Sequence, residues 1–571
     1  MSRWLTKTPI KAVDHLWRQF TASLGIGSFL ALATASIAIA AERIEFFIGP
    51  FEPVIWVEDL TAFVEDGTIT DRFSTMTNSL DEDQLTSLRS FLNASLEVDL
   101  ITVSQVSYWG VGERFLNRLG QVIQTDSFLN GGKALRAALI AAAADDDGIT
   151  TLEVIQAYPL DVIQLDFPRM QQIIQENQRF FANRAAVIAQ LRSVGEREAQ
   201  TLAAPTESKP VQAGPYAWQL ETLTFDNPLR GDAIPFDLYL PQPVPELSEA
   251  LSATPVIVIS HGVASNRNAL SYLAQYLASH GYAVAVPQHD DDSQKYVQFL
   301  AGVEDPPHPI TLVSRPRDIS SVLDALENLV LSHPDYAHLD LDNVGVLGHS
   351  LGGFTVLAAA GAELNFAAVM ENCSLEDRDR PSLNPSLLVQ CDLIDLADQA
   401  PFQLRDDRIR AVFALNPPTS LFFGETGLAQ LEIPTLMMAA MADIVVPAIP
   451  EQIEPYRWLQ TDHKYLVAVE NATHFTFLEG DLTEGALPLP SALLGPDPQQ
   501  ARPYLQALSL AFFDRHLCDQ VEAEASLTQP YLDSLGTDPF RLEIVRSLDI
   551  NFEQEISVEE DARSEESGVS R

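Results

Sequence analysis

Basic side chains are scarce in this 571-residue chain: 35 lysines and arginines stand against 79 acidic residues, a formal net charge of −44. Such a surface repels phosphate backbones and anionic bilayers, so nucleic acid is excluded as a natural partner, and the acidity reads as a solubility feature. Cysteine occurs only three times, at positions 373, 391 and 518, which leaves room for one intrachain bridge at most. Beyond residue 41 no segment is long and apolar enough to cross a bilayer. A hydrophobic content of 46% with mean hydropathy near zero describes a folded chain, neither disordered nor polytopic. Its length is too great for one ordinary core, so two domains plus tails are expected.

Most of the basic charge near the start is Arg3, Lys7, Lys11 and Arg18, followed by an uncharged stretch from Phe20 to Ala41 whose apolar part, Leu24 to Ala40, ends in Ala38-Ile39-Ala40. A basic beginning, an apolar middle and a small-residue end predict a secretory signal over residues 1–41, cleaved on export to the periplasm or beyond. The alternative is an uncleaved membrane anchor over residues 20–41. Export permits a disulfide, and Cys373 with Cys391 is the candidate pair, closing a short loop; otherwise all three thiols are free and buried, and Cys518 is left over in either case.

Residues 42–200 read as a mainly helical domain. Ser79-Leu80-Asp81-Glu82 fits a capping box, with Leu85, Leu88, Leu92 and Leu96 recurring on one face behind it. Thr150-Thr151-Leu152-Glu153 repeats the cap, Pro168 suits a helix start, and Met170, Ile173, Ile174, Phe181 and Ile188 extend an apolar stripe. The run Asp145-Asp146-Asp147-Gly148 lacks the spacing and closing glutamate of a calcium loop and reads as a charged turn. A Pro/Ser/Gly-rich linker over 201–215 comes next. Across 216–550 short apolar runs alternate with helical stripes, which predicts an α/β fold: a mostly parallel sheet with helices on both faces. Leu220 to Phe225 and Phe236 to Leu240 read as an opening antiparallel pair, and further strands as Val256–Ser260, Ala283–Pro287, Val344–Leu347, Ala411–Leu415, Thr435–Ala440 and Tyr465–Val469. Residues 364–410 interrupt the alternation as a candidate cap, and 551–571 form an acidic, serine-rich tail expected to be disordered.

Gly348-His349-Ser350-Leu351-Gly352 carries the sharpest chemical signal, between a predicted strand and a predicted helix. A serine at so tight a turn needs glycines two positions to either side, because side chains there would collide. A hydroxyl is a poor nucleophile until a base removes its proton, and the base needs an acid to fix its tautomer. In chain order serine, acid, histidine, the acid is Asp443, after the strand Thr435–Ala440, with Glu470 as alternative, and the base is His474, after Tyr465–Val469. His463 lies at the wrong strand end, His516 inside a helix, and His289 and His308 precede the serine. The oxyanion donors are expected to be Leu351 N–H and Val263 N–H, the latter in Ser260-His261-Gly262-Val263, where Gly262 allows a tight turn and His261 packs structurally.

Those segments, with Leu277-Ala278-Ser279-His280-Gly281-Tyr282 and Asn471-Ala472-Thr473-His474-Phe475, resemble the α/β-hydrolase branch of dienelactone-hydrolase-like proteins, platelet-activating-factor acetylhydrolases and cutinase-like polyester hydrolases, over roughly residues 215–520. The preceding helical region resembles an uncharacterised domain fused to bacterial hydrolases of this kind. Dienelactone hydrolases proper use cysteine where this chain has Ser350. Plasma-type acetylhydrolases place the acid after the strand following the elbow, where this chain has Asn416, so the acid falls to Asp443, as in cutinase-like members. The resemblance implies hydrolysis of a carboxylic ester, on a lipid or other small neutral substrate, through an acyl-enzyme, with no metal or organic cofactor. Acyl transfer or amide hydrolysis on the same triad, and an inactive hydrolase fold used for binding, are the competing readings. Contact with a membrane is expected only through an uncleaved N-terminal segment or a lipid substrate.

Overall fold

The computed structural model describes residues 40–548 apart from 47–52, 145–147, 182, 202–210, 232, 243–252, 374–381, 383, 481–490 and 537. The predicted signal but for its last two residues, the Asp145–Asp147 turn, most of the linker and the acidic tail lie outside the described residues. The chain divides into one unit of Met1–Val103 with Leu116–Pro168 and another of Ser104–Phe115 with Arg169–Arg571.

The first unit is mainly helical. Val57–Asp66, Asp71–Thr77, Glu82–Asn93, Gly132–Ala142 and Thr151–Gln156 enclose a core that includes Leu60, Phe63, Phe73, Leu92 and Leu135. It also holds a small sheet in the order Val54–Trp56, Arg43–Phe46, Val162–Leu165, Ile123–Gln124, with strands too short for a period-two pattern to show in sequence. Two local readings are corrected. The capping box at residue 79 lies two positions later: Asp81 accepts from Gln84 N–H while Gln84 returns a bond to Asp81 N–H. Leu96 is not on the helix of Leu85 and Leu88, because that helix stops at Asn93 and Leu96 sits exposed in a two-residue strand. The Thr150–Glu153 capping box is present.

The unit boundary falls earlier than residue 200. The apolar stripe from Met170 to Ile188 is split between Phe167–Phe181 and helix α1 (Arg184–Ala199). Val187, Leu191 and Val194 of α1 are buried in the core of the second unit, and Arg192 Nε donates to Glu543 Oε1 at 2.9 Å. The physical reason is a buried stripe that belongs to the large sheet.

That sheet has nine strands: β1 (Trp218–Asp226), β2 (Ala233–Pro241), β3 (Thr254–Ser260), β4 (Ala283–Pro287), β5 (Leu339–His349), β6 (Ile409–Leu415), β7 (Thr435–Ala440), β8 (Lys464–Val469) and β9 (Leu542–Val545). Their order is β9-β8-β7-β6-β5-β3-β4-β2-β1, parallel from β4 through β8 and antiparallel at both edges. The inner strands are largely apolar where they are buried, as a sheet covered on both faces requires, and the polar residues of β5 before Val344 lie at its less buried start. Alternate residues feed opposite cores: Val256, Val258, Val412 and Met437 on one side, Ile257, Ile259, Phe413 and Met438 on the other. Helices α4 (Thr311–Ser332) and α5 (Leu351–Ala360) pack into the first core, α2 (Ser271–Ser279) and α6 (Pro498–His516) into the second. A short helix, α3 (Ser293–Leu300), follows β4.

The chain runs from β3 out to β4 and then returns to β5 on the other side of β3. Loops after β3 and β5 therefore diverge at the carboxyl edge, opening a crevice where sheets of this kind bind ligands. Residues 364–410 carry the short helices Phe366–Asn372 and Ser386–Gln390, tied by a disulfide between Cys373 and Cys391.

A bridge across 18 positions restricts the unfolded chain by about 3 kcal/mol. Replacing Cys373 and Cys391 together by serine should lower the urea-unfolding free energy of the second unit by about that amount. An unchanged midpoint would mean that packing alone closes the loop.

Candidate active site

Ser350 stands between β5 and α5 with φ 55° and ψ −123°, a conformation L-residues adopt only under constraint. The flanking glycines meet the steric demand inferred from sequence. A Cβ on Gly348 would lie 2.1 Å from Gly352 O, and one on Gly352 would lie 2.1 Å from Ser260 O. Ser350 N–H donates to Leu415 O at 2.8 Å, which ties the turn to β6.

Asp443 and His474, the expected acid and base, come from the loops after β7 and β8. Ser350 Oγ lies 2.9 Å from His474 Nε2, and His474 Nδ1 lies 2.6 Å from Asp443 Oδ2. The carboxylate side of this chain is held by two amides, since Asp443 Oδ1 accepts from Val445 N–H and Val446 N–H, each at 2.8 Å. With Nδ1 donating to the carboxylate, Nε2 is left to accept the serine proton. Asn416 does not face the imidazole as an acid would. It braces the loops instead, Oδ1 accepting from Ala440 N–H at 2.9 Å and Nδ2 approaching His474 O at 3.4 Å. Of the two carboxylates considered for the acid, it is Asp443, not Glu470, that the structure brings to His474.

Leu351 N–H and Val263 N–H, the expected oxyanion donors, have no hydrogen-bond acceptor among the described residues. Gly262 is needed for a different reason from the one its sequence suggests. Its φ is not positive; a Cβ there would sit 3.3 Å from Ser350 Cβ and 3.1 Å from His349 Nδ1, so the residue permits close approach. The left-handed residue of the loop is Ala264, at φ 53°.

Sequence reasoning missed the layer beneath this loop. His261 Nε2 accepts from His289 N–H at 3.2 Å, so Nδ1 carries the proton and donates to Gly262 O at 2.8 Å. His289 in turn lies between Ser260 Oγ and Asp318 Oδ2, both at 2.8 Å. This is a second Ser–His–Asp array, wholly buried, whereas Ser350 and His474 keep 5% and 4% exposure. Burial holds the His261 and His289 imidazoles well below their ordinary range and pushes the Asp318 carboxyl up to about 6 despite Arg230 beside it. A signal was available: Arg315 and Asp318 fall on the same face of α4 as Ile319, Val322 and Leu326, and charges on an apolar face call for buried partners. Also missed was Trp109, which packs edge-on against Tyr296 and Phe299 at 6.0 and 5.6 Å, in the cluster that Val263 and Ala264 join.

His349 supports the loop of His474. Its Nε2–H donates to His474 O at 2.8 Å, and its buried Nδ1 has no partner among the described residues. Burial, reinforced by His474, pushes this imidazole down from 6.5 to about 3. A depressed histidine contributes stability that is complete above pH 6.5 and is lost as the pH falls toward 3. Between pH 6.5 and 5 this group alone should withdraw about 2 kcal/mol. His349→Gln, which retains a donor, should lose that much less over the same interval in denaturant titrations; equal losses in both proteins would contradict the assignment.

Two family models match the chain. The one described as "Alpha/beta hydrolase of unknown function" covers residues 40–166, and the one described as "Platelet-activating factor acetylhydrolase, isoform II" covers residues 244–311. No curated protein sequence matches the chain. The first match falls on helices that precede the sheet; the second spans β3, the loop bearing Gly262 and Val263, and β4. By its doubly covered, mostly parallel sheet the chain has the α/β-hydrolase fold, and it is similar over residues 40–166 to an α/β-hydrolase family of unknown function and over residues 244–311 to the platelet-activating factor acetylhydrolase family.

Proposed function

We propose that the chain is a serine-dependent carboxylic ester hydrolase working through an acyl-enzyme. Ser350 Oγ attacks the ester carbonyl carbon while His474 Nε2 takes the hydroxyl proton, and Asp443 balances the imidazolium that forms. The tetrahedral oxyanion is received by the amides of Val263 and Leu351. Collapse expels the alcohol, which takes its proton from His474, and a water activated by the same imidazole then releases the acid. The observation that carries this reading is the continuous hydrogen-bonded line from Ser350 through His474 to Asp443, ending on a serine in the strained conformation of a nucleophile elbow.

A short-chain or otherwise compact neutral ester is the proposed substrate, as in acetylhydrolase-like enzymes. In support, a cavity of about 90 Å³ beside His474 is lined by Ala442, Ile444, Val445 and Phe475, among others. It has room for a short aliphatic group, and the described residues that line it include no lysine or arginine to attract an anionic one. The proposed compartment is outside the cytoplasm. The Cys373–Cys391 bridge favours it, because disulfides persist where the surroundings are oxidising.

Hydrolysis of p-nitrophenyl acetate or butyrate by the full chain should fall about 10⁴-fold or more in Ser350→Ala, with fluorophosphonate labelling lost in parallel. Wild-type turnover in that variant would refute the reading. Asp443→Asn, which leaves the histidine without its tautomer-fixing carboxylate, should cost roughly 10³- to 10⁴-fold in kcat. A loss below about tenfold would move the acid elsewhere.

A further inference from the structure

The loop after β3 has to present one amide, that of Val263, to a charge that exists only during the reaction. A peptide unit is planar and trans, so its N–H and C=O point in opposite directions. The direction of Val263 N–H is thus set by whatever holds Gly262 O. Two donors hold it, His261 Nδ1–H at 2.8 Å and Arg315 Nη2–H at 3.1 Å. The same guanidinium donates from Nη1 to the preceding carbonyl, His261 O, at 2.8 Å, and from Nε to Asp291 Oδ1 at 2.8 Å. Asp291 closes the frame from the other side, its backbone O accepting Ala264 N–H at 3.0 Å. Arg315 is fully buried on α4. Its Nη1 also approaches Thr355 Oγ1 at 3.5 Å, and that hydroxyl donates to Leu351 O at 2.7 Å, in the first turn of α5.

We propose that Arg315 is a positioning residue for oxyanion stabilisation: its planar guanidinium grips two successive carbonyls and turns the Gly262–Val263 peptide so that Val263 N–H faces the reacting centre. The inference rests on the serine-hydrolase reading above. Arg315 does not touch substrate. It acts by fixing a dipole before the charge appears, so that no reorganisation is needed when it does. Only a planar fork with donors on three nitrogens fits the three acceptors; a lysine ammonium keeps the charge and loses the geometry. The loop resists this arrangement by itself, because Ala264 must hold a positive φ. A buried clamp therefore prevents the peptide from flipping.

The test is steady-state kinetics of the full-length protein on p-nitrophenyl butyrate, with a trifluoromethyl ketone as inhibitor; the ketone adds to the serine and leaves a tetrahedral oxyanion. In Arg315→Lys, kcat is expected to fall about 30-fold or more, KM to stay within about twofold, and affinity for the ketone to fall by the same factor as kcat. A kcat within about threefold of wild type overturns the inference, as does a loss of kcat without a matching loss of ketone affinity. Should Arg315→Lys fail to fold, His261→Phe removes the other donor on Gly262 O. It is expected to lower kcat about tenfold at constant KM, and an unchanged kcat there is equally fatal. Ser350→Ala, assayed alongside, separates the two levels. Activity surviving in it sinks the serine mechanism, whereas a dead Ser350→Ala beside a fully active Arg315→Lys sinks the clamp alone.

Discussion

A single backbone constraint organises the second unit: residue 350 must hold a positive φ while three chain segments close on it. Gly348 and Gly352 touch each other across the turn, Gly352 presses on Ser260 O, and the amide of residue 350 is bound to Leu415. Strand β5 is thereby pinned between β3 and β6, and the start of α5 is set beneath the loop that carries Val263. An L-residue in such a conformation costs on the order of 1–3 kcal/mol, and it persists because the surrounding packing over-determines it. Burial of the central strands supplies that packing, with both faces of β3, β5, β6, β7 and β8 covered.

Two serine–histidine–aspartate arrays lie close together in this unit, and their distances hardly differ. Oγ to Nε2 is 2.9 Å at Ser350 and 2.8 Å at Ser260; Nδ1 to carboxylate is 2.6 Å at His474 and 2.8 Å at His289. Hydrogen-bond geometry alone does not mark one as reactive. Ser260 ends an ordinary strand and is sealed from solvent, while Ser350 sits at a strained turn beside two amides that have no acceptor among the described residues. The buried array belongs to the frame under the Gly262 loop; its polar groups satisfy one another because none can reach water.

That frame also shows where scarce cations are used. In a chain carrying −44, Arg315 is withdrawn to the interior against Asp291, and the partly buried Arg230 lies against the fully buried Asp318. Burial raises both carboxyls, so the arginines are what allow acidic groups there at all. The same demand for paired burial appears where Glu451, fully buried, takes bonds from Thr419, Ser420, Asn384 and Gln390 and so joins the 364–410 insertion to the sheet.

Much of this was readable from local pattern. Strand after strand of largely apolar residues and the G-x-S-x-G turn follow from short-range chemistry: which side chains a two-sided sheet can bury, and which residues a tight strand-to-helix turn tolerates; Asp443 and His474 were found by the order in which such partners follow the serine in this fold. Short-range pattern failed where the cause lay far along the chain. The strand Leu542–Val545 and helix Arg184–Ala199 carry no signal of the partner that buries them. The domain boundary moved because the stripe of Val187 and Leu191 packs on a sheet built from later residues. Asn416 as a brace, Gly262 as a point of close approach and Arg315 as a carbonyl clamp were decided only by tertiary structure, since each depends on atoms between 24 and 88 positions away. Sequence by itself determined which residue types could perform the chemistry and in what order they occur; folding decided which dipoles face them, because direction in space is a property of packing and not of spacing along the chain.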